Sequence, residues 1–307
     1  MSARVWLCLV GVCLACVSQA AERELIRDSQ FQNGFYFLEA APGKRVVYAE
    51  ASGFAAAKPV WDLAQWSSRF PLSPGNRFET GQTLGWSNIA KIVTVRKSGG
   101  ASSDLSLGVN AGAEYEHPRT SAAIPWVHLL VQQDLTNPPS LAELGSCRFH
   151  LEARMKRSVL ADTNGYSPAL HAAQYLVYLT IANVNAKSSG YHDCFWFGIP
   201  IYDNRSPMVP AYEARDFGQT KLFIFTPGSD NFSHQSTHDG QWVTFERDLL
   251  PLWREGLEHA WSKGFLKARP EAADYRPMGI FIGWEVPGMF DAELEIRGLS
   301  LRADVRR

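Results

Sequence analysis

The chain has 307 residues, with 30 Lys and Arg against 31 Asp and Glu and a near-neutral net charge of -1. That balance excludes the electrostatic footprint of a nucleic-acid or anionic-membrane binder. Apolar residues make up 46% and aromatics 12%, so there is ample material for a packed core and no signature of disorder.

Arg4 precedes a short apolar run, Val5 to Val17, and then Ser18-Gln19-Ala20. This reads as a secretory signal peptide over residues 1–20, cut after Ala20 and followed by one β-sandwich domain over 21–307. The expected location is secreted or periplasmic. No later stretch reaches the roughly 18 uninterrupted apolar residues of a membrane helix, so the mature chain is expected to carry no transmembrane segment.

Short alternating apolar runs then follow one another, separated by Gly, Pro, Asn and Ser clusters. In chain order they are 91–97, 104–109, 126–133, 147–155, 174–184, 194–201, 221–226, 242–248, 278–286 and 290–301. Ten strands without regularly interposed helices predict an all-β fold, an antiparallel β-sandwich or jelly roll of ten or more strands. One amphipathic helix is expected near 248–264. Asp248 serves as its N-cap, Pro251 sits in its first turn, and Gly264 ends it. Leu249, Trp253, Leu257 and Trp261 are spaced four apart and form its apolar stripe.

Alternation assigns strand faces. Val127, Leu129 and Val131 form a core face, opposite Trp126, His128, Leu130 and Gln132. Phe195, Phe197 and Ile199 lie opposite His192, Cys194, Trp196 and Gly198. Tyr178 and Thr180 lie opposite Val177, Leu179 and Ile181. Ile280, Ile282, Trp284 and Val286 lie opposite Phe281, Gly283 and Glu285. Four strands therefore carry a polar-aromatic face. Pyranose rings stack their C–H faces on aromatics and need fixed donors and acceptors for their hydroxyls. The expected carbohydrate-binding residues are Trp126, His128, Gln132, Tyr178, His192, Trp196 and Glu285, and the expected partner is a polysaccharide or glycan. A second apolar layer or a covering loop would bury the same aromatics, which leaves a structural reading open.

If the protein is a hydrolase, Glu285 is the first catalytic candidate, with Asp193, Asp203 or Glu152 as its second carboxylate. A polysaccharide lyase would instead draw a base and a carboxylate-neutralising group from His128, Gln132, Arg119 and Tyr202. A third possibility is an envelope module that docks another protein. The loop 226–241 places His234 and His238 four apart, near Asp230 and Asp239, but such spacing aligns metal ligands only on a helix. It reads as a cleft-rim loop. No metal or cofactor is expected, although a structural calcium ion is compatible with the sequence.

Three of the five cysteines lie in residues 1–20. The remaining Cys147 and Cys194 predict one disulfide in an oxidising compartment. Their phases conflict, because Cys147 falls with Phe149 and Leu151 on the core face and Cys194 on the opposite kind of face.

"GQWVTFERDLLPLW" (240–253) resembles a Trp-led strand that recurs in carbohydrate-binding jelly rolls. "GIFIGWEVPGMFDAELEIRGLSL" (279–301) is similar to the final strand pair of such domains. The resemblance implies a galactose-binding-like or concanavalin-like sandwich in a secreted carbohydrate-active setting. It matches no named enzyme family and transfers no catalytic residue.

Overall fold

The computed structural model describes residues 22–41, 45–97, 105–216, 220–267, 269 and 271–306; the leader expected over 1–20 lies outside them. Its strands are β1 (Arg23–Glu24), β2 (Gly34–Leu38), β3 (Val47–Ser52), β4 (Trp61–Ala64), β5 (Arg77–Thr80), β6 (Thr83–Ser87), β7 (Lys91–Arg96), β8 (Leu105–Asn110) and β9 (Val127–Asp134). They continue with β10 (Leu144–Leu160), β11 (Gln174–Asn183), β12 (Cys194–Asp203), β13 (Tyr212–Arg215), β14 (Phe223–Thr226), β15 (Val243–Asp248), β16 (Tyr275–Val286) and β17 (Phe290–Val305). The helices are α1 (Ala111–Glu114) and α2 (Leu249–Ser262).

Two sheets form a sandwich. The eight-stranded sheet runs β15-β10-β17-β8-β7-β6-β5, with β1 paired to the far end of β17. The nine-stranded sheet runs β13-β14-β12-β11-β16-β9-β4-β2-β3. All ten expected strands are present, because their alternation reflects one buried face. Val127, Leu129, Val131, Phe195, Phe197, Ile280, Ile282 and Trp284 are all at or below 1% exposure. They meet Phe149, Leu151, Leu107, Leu294 and Ile296 of the other sheet in one continuous core. Trp284 also ties the layers directly, donating from Nε1 to the Leu107 carbonyl at 2.7 Å. The adjacent Gly283 has φ 146°, and a Cβ there would lie 2.2 Å from the Leu129 carbonyl, so the position requires glycine.

Helix α2 forms where the sequence places it. Asp248 accepts from the Leu250 amide at 3.2 Å and also from the Cys147 amide at 2.8 Å, which joins the cap to β10. Leu249, Trp253 and Leu257 are buried. Trp253 packs edge-on against Phe197 at 6.3 Å. A Cβ on Gly256 would stand 2.8 Å from Phe195 and Phe225, so the missing side chain lets the helix settle on β12 and β14. Trp261 departs from the expected stripe and is 41% exposed. A four-residue spacing advances the helix face by about 40° per step, and three steps carry Trp261 off the buried side.

The expected disulfide is absent: Cys147 and Cys194 are both free. Cys147 is fully buried on the core side of β10 in the eight-stranded sheet, whereas Cys194 is half-buried on β12 of the other sheet. Packed sheets lie about 10 Å apart, beyond the roughly 7 Å between Cα atoms that a disulfide spans.

Candidate functional site

The two outer faces differ in kind. On the eight-stranded sheet, charged side chains of β10 pair with charged side chains of β17. Glu152 faces Arg297 at 2.6 Å, and Arg154 pairs with Glu295. Lys156 reaches Glu293 at 2.8 Å and Arg157 reaches Asp291 at 2.9 Å. Trp242 lies between the Arg154 and Arg297 guanidiniums, 4.7 and 4.2 Å from its ring centre. This face satisfies its own charges.

The nine-stranded sheet instead carries aromatics outward, interspersed with polar groups and with the carboxyl groups of Glu50, Asp62, Asp203 and Glu285. Trp196 of β12 registers with Thr180 of β11. Its ring meets Phe281 at 4.9 Å and Tyr178 at 5.9 Å, and its Nε1 donates to Thr220 Oγ1 at 3.2 Å. Gly198, Tyr178, Phe281, Gln132, Asp62, Tyr36 and Glu50 form one cross-strand row. Asp203, Gln174, Glu285 and His128 form another, nearer one end of the sheet. Six residues of β11 separate the Trp196 and Glu285 rows, about 20 Å. The strip is long enough for several sugar rings in line.

Glu285 and His128 meet at its polar end, with Nε2 of the ring 3.7 Å from Oε1. The Nδ1 atom lies 2.8 Å from the Trp126 carbonyl, which can only accept, so Nδ1 carries the proton and Nε2 offers a lone pair to Glu285. The Trp66 carbonyl accepts from the His128 amide at 3.1 Å, and the Trp66 ring tilts against the imidazole at 5.5 Å. Burial raises the Glu285 carboxyl to about 7, helped by the Asp216 charge. Burial lowers His128 to about 4, against the opposing pull of its backbone contacts and Asp216. Near pH 5.5 both groups are neutral. A protonated Glu285 then faces an acceptor nitrogen.

Of the proposed second carboxylates, Asp203 shares the Glu285 row, two strands away. Burial pushes its carboxyl up, but Arg205, bonded at 2.6 Å, and Gln174, at 2.8 Å, together hold it below the usual range. Asp193 sits before β12 and accepts from the Lys267 amide at 2.6 Å. Glu152 belongs to the opposite sheet.

Trp126 is 38% exposed beside His128, with the Arg119 guanidinium 5.9 Å from its ring. Arg119 is buried and donates to the carbonyls of Ala122, Ile124, Leu170 and Pro287. Tyr202 is buried against Trp284 and His238. Neither is presented to a ligand. His192 lies far from Glu285. It bonds to Asn183, nine residues along β11 from the Glu285 register partner, about 30 Å away. In the 226–241 loop, His238 stacks on Tyr202 at 4.5 Å and pairs with Ser236 at 2.9 Å. Among the described residues, no group of three or more His, Cys, Asp or Glu could hold a metal ion. No helix among them is long and apolar enough to cross a membrane.

The sequence reading did not reach Trp66, Asp62, Arg45 or Asp216, which come from short strands and loops. Only the alternation of Trp61 and Leu63 with Asp62 and Ala64 hinted at an outward-facing Asp62.

No family model matches the chain, and no curated protein matches it. It is similar in structure to an endoglucanase, Cel12A from Rhodothermus marinus, at 10% identity, with 74% of this chain and 93% of that chain covered and a TM-score of 0.39. It is also similar to endoglucanase 3 of family GH12 from Trichoderma harzianum (11%, 81% and 100%, 0.38). A family 12 xyloglucanase from Bacillus licheniformis is a further neighbour (12%, 76% and 98%, 0.41).

Proposed function

We propose that this protein is exported and binds a polysaccharide along the outer face of its nine-stranded sheet. The observation that carries the reading is the run Trp196–Phe281–Tyr178 leading to the Glu285–His128 pair, whereas the outer face of the opposite sheet is a charge ladder with Trp242 held between two of its arginines. Aromatic rings supply stacking planes, while Gln132, Glu285 and His128 supply a few oriented polar atoms. The leader over 1–20 and the single sandwich over 21–307 belong to the same proposal.

A second reading, hydrolysis at the polar end of the strip, is favoured by one observation. Glu285 is set beside His128 at 3.7 Å, and burial raises its carboxyl to about 7, the range in which a general acid works. It would protonate the glycosidic oxygen as the bond to the anomeric carbon breaks, while water attacks that carbon and loses its proton to Asp203, the carboxylate two strands away in the same row. A lyase reading has less support, because Arg119 is committed to four backbone carbonyls.

A glycan-array screen paired with a reducing-sugar assay tests both. Binding of a polysaccharide is expected. Loss of sugar release in Glu285→Gln, with binding retained, would establish hydrolysis. Failure to bind any array member would overturn the carbohydrate reading in favour of a protein-docking module.

A further inference from the structure

Trp196 is the largest ring of the aromatic strip, and its ring contacts among the described residues lie to one side of it. Phe281 meets it at 4.9 Å and Tyr178 at 5.9 Å, both edge-on. Both belong to strands on the β11–β16 side of β12. On the other side runs β14, where the residue in register with Trp196 is Ile224.

A second hold reaches the indole from the β13–β14 hairpin. The hairpin is closed by the Asp216 amide, which donates to the Leu222 carbonyl at 2.7 Å. Trp196 Nε1 donates to Thr220 Oγ1 at 3.2 Å. The Thr220 hydroxyl in turn meets Asp216 Oδ2, which also accepts from the Thr220 amide at 3.2 Å.

The direction of each bond is set by the groups that make it. An indole N–H can only donate, and a carboxylate can only accept. The single hydroxyl proton of Thr220 therefore goes to Asp216, and one lone pair of the same oxygen receives Trp196. The other lone pair takes the Leu222 amide at 3.4 Å. A bond to a carboxylate is stronger than one between neutral groups, and successive bonds in a chain polarise one another. The Asp216 carboxylate lies over the strip, since its charge is felt at His128, Tyr178 and Glu285.

We propose that Thr220 is a positioning residue of the polysaccharide site. With Asp216 behind it, Thr220 holds the indole against Phe281 and Tyr178, so that a sugar ring meets a plane already in place. A ring fixed beforehand loses little side-chain freedom when the ligand arrives. The inference rests on the polysaccharide reading above and adds to it a residue that acts through Trp196. Thr220 itself is exposed, so its side chain should matter little to the fold.

The test is calorimetric titration of wild type, Thr220→Val, Thr220→Ser and Trp196→Ala with cellohexaose, xylohexaose and mannohexaose. A proton–nitrogen correlation spectrum of the indole groups accompanies it, with Trp196→Phe identifying the Trp196 signal. Val keeps the shape of Thr without its hydroxyl. Thr220→Val should weaken the hexasaccharide that binds wild type about twofold to tenfold, the worth of one hydrogen bond. Its Tm should stay unchanged, and the Trp196 indole proton should exchange faster with water. Thr220→Ser should restore both affinity and exchange. If Thr220→Val binds as wild type does while Trp196→Ala loses binding, the polysaccharide reading stands and the positioning role is overturned. The role also falls if Thr220→Ser is as weak as Thr220→Val, or if the indole proton of Thr220→Val exchanges at the wild-type rate. If no hexasaccharide binds wild type, both fall.

Discussion

Glu285 and His128 are register partners on adjacent strands, 3.7 Å apart, and burial disfavours the charged form of each. Their effects on stability oppose each other. Glu285 is raised from 4.5 to about 7, so the folded state binds its proton more tightly and stability falls as pH rises through that window. His128 is lowered from 6.5 to about 4, so its contribution is lost as pH falls from 6.5 towards 4. Between roughly 4.5 and 6.5 the two slopes largely cancel. Glu285→Gln removes only the first. The variant should be more stable than wild type by on the order of 1–3 kcal/mol at pH 8, with little gain near pH 4. Urea unfolding at the two pH values checks this, and an equal gain at both would refute the shifted carboxyl.

If the protein hydrolyses its ligand, the same carboxyl sets the alkaline limb of activity. Sugar release should fall about tenfold per pH unit above pH 7, while ligand affinity changes little. A rate that is flat to pH 9 would remove Glu285 as the proton donor.

Trp196 and Phe197 are neighbours on opposite faces of β12, and the proposed polysaccharide site uses only the first. Trp196→Ala should weaken glycan binding by about 1–3 kcal/mol with a small loss of stability. Phe197→Ala should cost roughly 3–5 kcal/mol of stability, because the ring is fully buried against Trp253 and Phe225. Titration calorimetry and thermal unfolding on both variants separate the effects.

The free cysteines make a simple prediction. Reductant should leave Tm unchanged, and unfolded protein beginning at Ala21 should titrate two thiols. In the folded state Cys147 should resist alkylation, since burial pushes its thiol far up. Burial also raises Cys194, to about 11, which makes it slow to react. A drop in Tm on reduction would contradict the separation of these residues on different sheets.

Lys91 and Glu114 form an ion pair with no exposed side-chain surface. Glu114 also accepts from Ser68 Oγ at 2.8 Å and from the Arg69 amide at 2.6 Å. The pair therefore pins the segment next to Trp66, which packs on His128. Lys91→Ala leaves a buried charge unmatched and should cost about 3–5 kcal/mol. A loss under 1 kcal/mol by chemical denaturation would mean that water replaces the ammonium.

Much of the sandwich was legible because long strands with one buried face print their alternation into the sequence. β9, β11, β12 and β16 are such strands, and the orientation of Trp196, Tyr178, His128, Gln132 and Glu285 followed from them. β3 and β5 were not legible: "VYAEAS" and "RFET" are short, mostly exposed strands towards the sheet edges, with no buried face to impose a period. Asp62 and Arg45 were lost with that region. His192 shows a different limit, because alternation gives the face of a residue but not its position along a strand. The cysteines show a third: their number invited a bridge that their phases already opposed.

The pairing of β17 carries a consequence for biogenesis. This strand follows every other strand in the chain, yet it stands between β10 and β8 and also receives β1. Until residues 290–305 emerge, the eight-stranded sheet is two fragments, β15-β10 and β8-β7-β6-β5, with β1 separate from both. Nearly all the polypeptide must therefore be synthesised before the barrier to folding can be crossed. A chain in that condition stays open to proteases until its last long strand has joined the two fragments.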